Sequence, residues 1–375
     1  MKNLRLLLAL TGVLFVTVCA HSQKKDAKHP KSQPVRVGAW YFGGWSFKPD
    51  AEGYTYHISP TLVRDYTFRK PVWGWREDGP GVMEQQIDYA SKNGISFWGF
   101  CWYENSLDPQ NREMMDQLNT GVELFLKAKN RQKLDFFLLS CFPVSPANWE
   151  AICSKTIRYF KEPNYYRVDD KPVISFFDVD NMLKGLDGPA GVKKALDRYR
   201  AFARSQGHGE VLIGARTFPR ANDPKFQEKI LACGFDFLTT YNNADDGRAA
   251  PGENPYANLL TGDQKSWREI TEHSDVPFLP VLGTGYDMRP WANDHPTQPA
   301  SDYWYTNPNP EEIGAHLREG IQWVKANPQK VLGNSIIIYA WNENGEGAWL
   351  TPDAETGEAR LRVIKKVIEE ENRKK

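Results

Sequence analysis

The chain alternates without interruption between short runs rich in β-branched and aromatic residues and longer stretches with helical periodicity. The strand-like runs are 35–42, 96–103, 134–140, 172–177, 211–215, 235–240, 277–282 and 335–340. Helices are expected at 83–93, 112–129, 149–160, 192–206, 225–232, 266–273, 311–326 and 359–374. Eight of each in strict alternation predict parallel βαβ units closed into an α/β-class (β/α)8 TIM barrel. A doubly wound open sheet is the other arrangement that alternation allows. No Gly-x-Gly-x-x-Gly follows the first run, so dinucleotide binding has no support and no cofactor is expected. A single barrel domain at 34–375 accommodates the length, since such barrels run to about 250 residues and more with insertions.

The first 33 residues stand apart. Lys2 and Arg5 precede an apolar run from Leu6 to Val18, which is short of the ~20 residues a membrane span needs. Ala20-His21-Ser22 then offers a small-x-small cleavage site, so 1–22 reads as a signal peptide and the protein as periplasmic or secreted. Lipidation at Cys19 is the alternative, with Val18 a poor fit to the small residue expected before it. Residues 23–33 are Lys-rich and read as a disordered lead-in. The other cysteines, Cys101, Cys141, Cys153 and Cys233, are scattered; Cys101 and Cys141 read as buried small hydrophobes. One disulfide is possible in an exported protein.

Acidic and basic residues balance at 47 each, which gives no electrostatic reason to expect nucleic acid or a membrane surface as partner. The 13 tryptophans and 16 tyrosines point elsewhere. Their flat apolar faces and polar edges suit sugars, and many fall in long stretches after predicted strands, at 43–81, 241–263 and 283–309. Loops after strands form the active face of a barrel. These hold Trp45, Tyr54, Tyr56, Trp73, Trp75, Tyr286, Trp291, Tyr303, Trp304 and Tyr305. An oligosaccharide or polysaccharide is the expected partner, bound by a monomer.

The last strand runs into Trp341-Asn342-Glu343-Asn344-Gly345-Glu346-Gly347. Paired carboxylates serve glycoside cleavage, one donating a proton to the leaving oxygen while the other acts as base or nucleophile. Gly345 and Gly347 are expected to turn the chain so that both acids face one cleft. Other strand-end residues are candidate substrate binders: Tyr41 and Trp45; Trp102, Tyr103 and Glu104; Arg216; Tyr241 and Asn242; Tyr286, Asp287 and Trp291; and Trp341 and Asn342. Glu104 is equally a partner for a rim arginine. Arg216 is expected to hold Glu343 or Glu346 ionised. His57, His208, His273, His295 and His316 are isolated, and no metal site is expected.

The segment from Ala340 to Gly347, with Leu350-Thr351-Pro352-Asp353 after it, resembles the C-terminal motif of glycoside hydrolase family 99 and its relatives, including the WbsX-like proteins. Gly38-Ala39-Trp40-Tyr41-Phe42 resembles that family's first strand, and the segments 82–87 and 94–103 its first helix and second strand. Asn344 stands where the family has Trp, which is the pattern of a broader family 71/99-like group. The resemblance implies a retaining glycosidase that cleaves α-mannosides through a 1,2-anhydro sugar. Glu343 would then deprotonate the 2-hydroxyl, and Glu346 would act as general acid and base. The spacing agrees, because two acids on one loop serve neighbouring oxygens on one side, whereas an ordinary retaining pair flanks the sugar at ~5.5 Å. The rival functions are a glycosyltransferase-like protein and a non-catalytic carbohydrate-binding barrel.

Overall fold

The computed structural model describes residues 33–104, 116–217, 224–297 and 301–374. The signal peptide and lead-in therefore lie outside the described residues, apart from Gln33. From Gln33 onward the chain forms one compact unit.

Eight parallel strands close into a barrel: β1 (Arg36–Tyr41), β2 (Ile95–Trp102), β3 (Asp135–Ser140), β4 (Lys171–Phe176), β5 (Leu212–Arg216), β6 (Phe237–Thr239), β7 and β8 (Ser335–Tyr339). β7 comes in two segments, Phe278–Leu279 and Val281–Gly283, which makes nine parallel segments in all. Pro280 parts them because it has no N–H to give the ladder, while its carbonyl still accepts from Ile337 at 3.0 Å. The first segment pairs with β6 and the second with β8. β8 pairs with β1 in the register Val37↔Ile336 and Ala39↔Ile338, which shuts the ring.

The interior is aromatic, and glycines make room for it. A Cβ on Gly38 would sit 2.1 Å from the Phe97 ring, and one on Gly99 would sit 2.4 Å from Trp40. Trp40 in turn meets Phe137 at 5.4 Å and Tyr241 at 5.8 Å between ring centres. Pairing large with small across neighbouring strands fills the barrel at crystal-like density.

The outer helices are α1 (Val82–Lys92), α2 (Thr120–Lys127), α3 (Trp149–Ile157), α4 (Gly188–Ser205), α5 (Pro224–Ala232), α6 (Tyr256–Glu272), α7 (Pro310–Ala326) and α8 (Ala359–Arg373). α7 starts where Asn309 and Glu312 form a reciprocal capping box ahead of Pro310. The helix expected at 266–273 starts ten residues earlier, so 241–263 is not all irregular. Gly262 and the buried Asp263 interrupt the apolar pattern there. Asp263 accepts from the Asn243 side chain at 2.7 Å and the Gly283 N–H at 2.8 Å, with the His316 ring 3.0 Å away. The other long loops also carry short helices, Pro60–Asp65 and Arg289–Asp294. Tyr303–Tyr305 pairs in parallel with Gly252–Asn254 as a small outlying sheet. Among the described residues, no helix is long and apolar enough to cross a membrane.

Candidate active site

Beyond β8 the chain folds back on itself. Asn342–Glu343 pairs antiparallel with Ala348–Trp349, and the turn Asn344–Glu346 joins them. Gly347, at φ +76°, supplies the left-handed residue that reverses the chain, and a Cβ there would meet the Asp287 nitrogen at 2.8 Å. Gly345 was expected to share that role. It sits in the helical turn without a positive φ, and its value is openness, since nothing lies within 4 Å of where a Cβ would be.

Three anchors fix the hairpin. The Asn342 side chain accepts from the Phe42 N–H at 2.8 Å and donates to the Phe42 carbonyl at 2.7 Å. The Asn344 amide donates to the Arg69 carbonyl at 2.6 Å. The Asp287 N–H donates to the Glu346 carbonyl at 2.6 Å. Arg69, almost fully buried, pairs with the Asp287 carboxylate at 2.5 Å and donates to the Asn344 carbonyl at 3.2 Å. Arg289 grips the same carboxylate at 2.8 Å, and together the two guanidiniums hold Asp287 below its ordinary range against the pull of burial.

Glu343 and Glu346 line one cavity of about 270 Å³ at the C-terminal end of the barrel. Phe42, Trp45 and His57 enter from β1 and its loop, Cys101 and Tyr103 from the end of β2, and Cys141 from just past β3. Phe177 follows β4, Tyr241 follows β6, and Trp291 comes from the loop after β7. Each carboxylate has its own phenol: Tyr241 donates to Glu343 and Tyr339 donates to Glu346. The two phenol rings meet edge to face, 5.1 Å apart. Glu343 is only 6% exposed, and burial followed by the charge of Glu346 raises its pKa well above the usual carboxylate value. Burial also raises Glu346, while the Tyr339 hydrogen bond and the charge of Arg216 pull it back. Because the charge of Glu346 raises Glu343, ionising both buried carboxyls at once is disfavoured. His57 is pushed down to about 3 by burial and by His295, so it faces the cavity as a neutral imidazole.

Of the residues expected to bind substrate, Trp45, Tyr103, Tyr241 and Trp291 line this cavity with the glutamates. Arg216 does not line it. Its guanidinium lies 3.8 Å over the Phe177 ring, and burial lowers it only to about 10, so it stays charged and biases Glu346 towards ionisation. Tyr41, Trp102 and Trp341 are corrections: all three are buried away from the cavity. Tyr41 donates to Glu77 at 2.7 Å and Trp341 to Gln86 at 2.9 Å. Strand alternation explains Trp102, which lies between cavity-lining Cys101 and Tyr103 and so points to the opposite face. Glu104 is fully buried and pairs with Lys155 at 2.8 Å. Asn342 is a bracket, and Asn242 accepts from the Ala244 N–H at 3.3 Å. Tyr286 and Asp287 line a neighbouring cavity instead.

Sequence reasoning missed Tyr339, His57, Phe42 and Phe177, and treated Cys101 and Cys141 as simple core. It also passed over Glu77. That carboxylate accepts from Tyr41, from the Ser46 hydroxyl at 2.9 Å and from the Trp45 N–H at 3.3 Å, so it holds the turn that carries Trp45. Trp45 itself donates from its indole to the Asn342 carbonyl at 3.0 Å.

A family model described as Glycosyltransferase WbsX matches residues 132–364, more than half of the chain. Two curated relatives, each described as Uncharacterized protein WxcX and both from strains of Xanthomonas campestris pv. campestris, are 26% identical over 227 residues. The match covers 58% of this chain and 30% of each relative, so the chain spans less than a third of their length. Among solved structures, one described as a Glycoside hydrolase-like protein superposes with a TM-score of 0.59 at 13% identity, covering 91% of this chain and 95% of that one. The GH99 endo-alpha-mannosidase from Bacteroides thetaiotaomicron superposes with a TM-score of 0.54 at 17% identity, covering 90% and 97%. At these identities the likeness establishes a shared barrel.

Proposed function

The chain belongs to the WbsX glycosyltransferase family, and from that premise we propose that it is a glycoside hydrolase that cleaves an α-linked glycan with retention. One observation carries the reading: Glu343 and Glu346, each tied to a tyrosine hydroxyl, line the same sugar-sized cavity. A carboxyl pair in which one member is protonated and the other ionised has both the acid and the base that glycoside cleavage needs. The walls of Trp45, Trp291, Phe42 and Phe177 suit the C–H faces of a pyranose.

In the proposed route Glu343 accepts the proton of the 2-hydroxyl as that oxygen attacks the anomeric carbon of its own ring. The glycosidic bond breaks, and Glu346 gives its proton to the departing oxygen. Glu346 then takes a proton from water, the water oxygen opens the 1,2-anhydro ring at the anomeric carbon, and O2 recovers its proton from Glu343. The atoms balance as addition of one water. The free site favours the proton on Glu343 and ionisation of Glu346, so the route requires sugar binding to exchange them: a 2-hydroxyl donating to Glu343 favours its ionised form, and a glycosidic oxygen accepting from Glu346 favours its protonated form. One hairpin carrying both acids supports this route over an ordinary nucleophile pair.

The test is Glu343→Gln and Glu346→Gln, assayed on α-mannan, rhamnan, galactan and N-glycan fragments with product size as readout. Each should lower turnover by at least ~10²–10⁴-fold while sugar binding persists. Unchanged turnover in both would discard the assignment, and a covalent glycosyl ester trapped on either glutamate would rule out the anhydro route. Transfer from a nucleotide sugar is the second reading, prompted by the family's description. Export separates the two, because such donors are cytoplasmic. A mature N-terminus at Gln23 supports hydrolysis, and a lipidated Cys19 would make the protein membrane-anchored.

A further inference from the structure

On the far side of the catalytic hairpin lies a second cavity, of about 170 Å³, which the proposed chemistry leaves unused. Trp304, Arg289, Glu253, Tyr286, Trp349 and Phe68 form its walls. The small outlying sheet sets Trp304 there. Tyr303 and Tyr305 are buried, and strand alternation turns the residue between them outward, where it is half-buried. Its indole N–H reaches Glu253 at 3.4 Å, and the Arg289 guanidinium lies 4.1 Å from its ring. Arg289 binds Asp287 through Nε at 2.8 Å and Nη2 at 2.9 Å, which fixes the guanidinium over one face of the indole.

A flat indole flanked by a fixed cation and a carboxylate is an amphipathic surface. The ring face that Arg289 leaves uncovered can take the C–H face of a pyranose, and the charged pair its hydroxyl edge. The two cavities adjoin across the hairpin: Gly345 and Glu346 face one, Gly347 and Asp287 the other, so a glycan would pass over the hairpin rim to occupy both. We propose that this second cavity is a subsite for another sugar of the same glycan, so that the protein selects oligosaccharides over single glycosyl groups. The proposal rests on the hydrolase reading and adds a length requirement to it.

The experiment compares wild type, Trp304→Ala and Trp304→Phe. Affinity for α-linked manno-, rhamno- and galacto-oligosaccharides of one to four residues is measured by calorimetry on the Glu346→Gln background. Turnover is measured on the native background with the same saccharides and with 4-nitrophenyl α-glycosides. For the best-bound series, affinity should rise about tenfold or more with length in wild type. Trp304→Ala should abolish that rise and leave the single-sugar affinity and 4-nitrophenyl turnover unchanged, while Trp304→Phe, which keeps an aromatic face, should retain part of it. An unaltered length dependence in Trp304→Ala, or an equal loss on short and long ligands in a variant with a native melting temperature, overturns the subsite. Equal efficiency on short and long substrates overturns it too, with the hydrolase reading intact. No saccharide binding together with no turnover sinks both.

Discussion

Replacing Glu77 by glutamine should change how the stability of the barrel depends on pH. Glu77 is 2% exposed and lies among Tyr41, Trp45 and Ser46. Burial pushes its carboxyl up to about 7, Asp78 adds a little, and the three hydrogen bonds pull the other way. In the unfolded chain the same group titrates near the ordinary value of 4.5. Between those two pH values the folded protein keeps a proton that the unfolded chain has lost. Stability therefore falls as pH rises through the window, by about 1.4 kcal/mol per pH unit and about 3 kcal/mol in total. Below it both states are protonated, and above it both are ionised, so the dependence ends. Glu77→Gln carries no such proton. The difference in unfolding free energy between variant and wild type should move towards the variant by about 3 kcal/mol between pH 4.5 and 8. Taking a difference cancels every other titrating group and any fixed cost of the amide. Urea denaturation followed by tryptophan fluorescence at several pH values measures it. A difference that stays level across the window would show that Glu77 ionises at its ordinary value and refute the effect of burial.

Three further outcomes follow from the site. Tyr241→Phe removes the hydrogen bond that favours the ionised form of Glu343, so the acidic limb of the kcat/KM profile should shift to higher pH; a profile that does not move would count against a functional bond. Arg69→Met leaves the buried Asp287 with Arg289 alone and unties the Asn344 carbonyl, which should cost about 3–5 kcal/mol of stability and lower kcat, read by denaturation and steady-state kinetics; a wild-type melting temperature would contradict the pairing. The His57 ring, lowered to about 3, should show NMR shifts that stay constant from about pH 8 to 4, and because its folded value is depressed, stability from this group is lost as pH falls below its ordinary 6.5; a midpoint near 6.5 would mean the ring is solvated.

Strand positions were legible because each barrel strand is an apolar run too short for a helix, and the eight runs fall within a few residues of β1 to β8. The break in β7 was legible only in hindsight, as the single Pro280. The start of α6 was hidden because Asp263 is polar yet buried, satisfied by Asn243 and the Gly283 N–H from outside the helix. The hairpin stood out because acids and glycines concentrate there in nine residues of contiguous sequence. The rest of the cavity did not, since its walls come one to three at a time from six strand ends. The face each aromatic takes was the main error. Strands buried on both sides lack the polar alternation that tells inward from outward, so Tyr41 and Trp102 read the same as Trp45 and Tyr103.

The Asn342 bracket on Phe42 joins residues 300 positions apart, and the Trp341 N–H to Trp40 carbonyl bond, 2.8 Å, lies beside it. Both span the seam where the last strand meets the first. The acid pair is thus not a property of its own segment: without the opening strand to hook onto, the hairpin has no fixed pose. Competence should appear in a single late step, when the ring shuts, and a half-made or unzipped protein should be inert towards any glycan it meets.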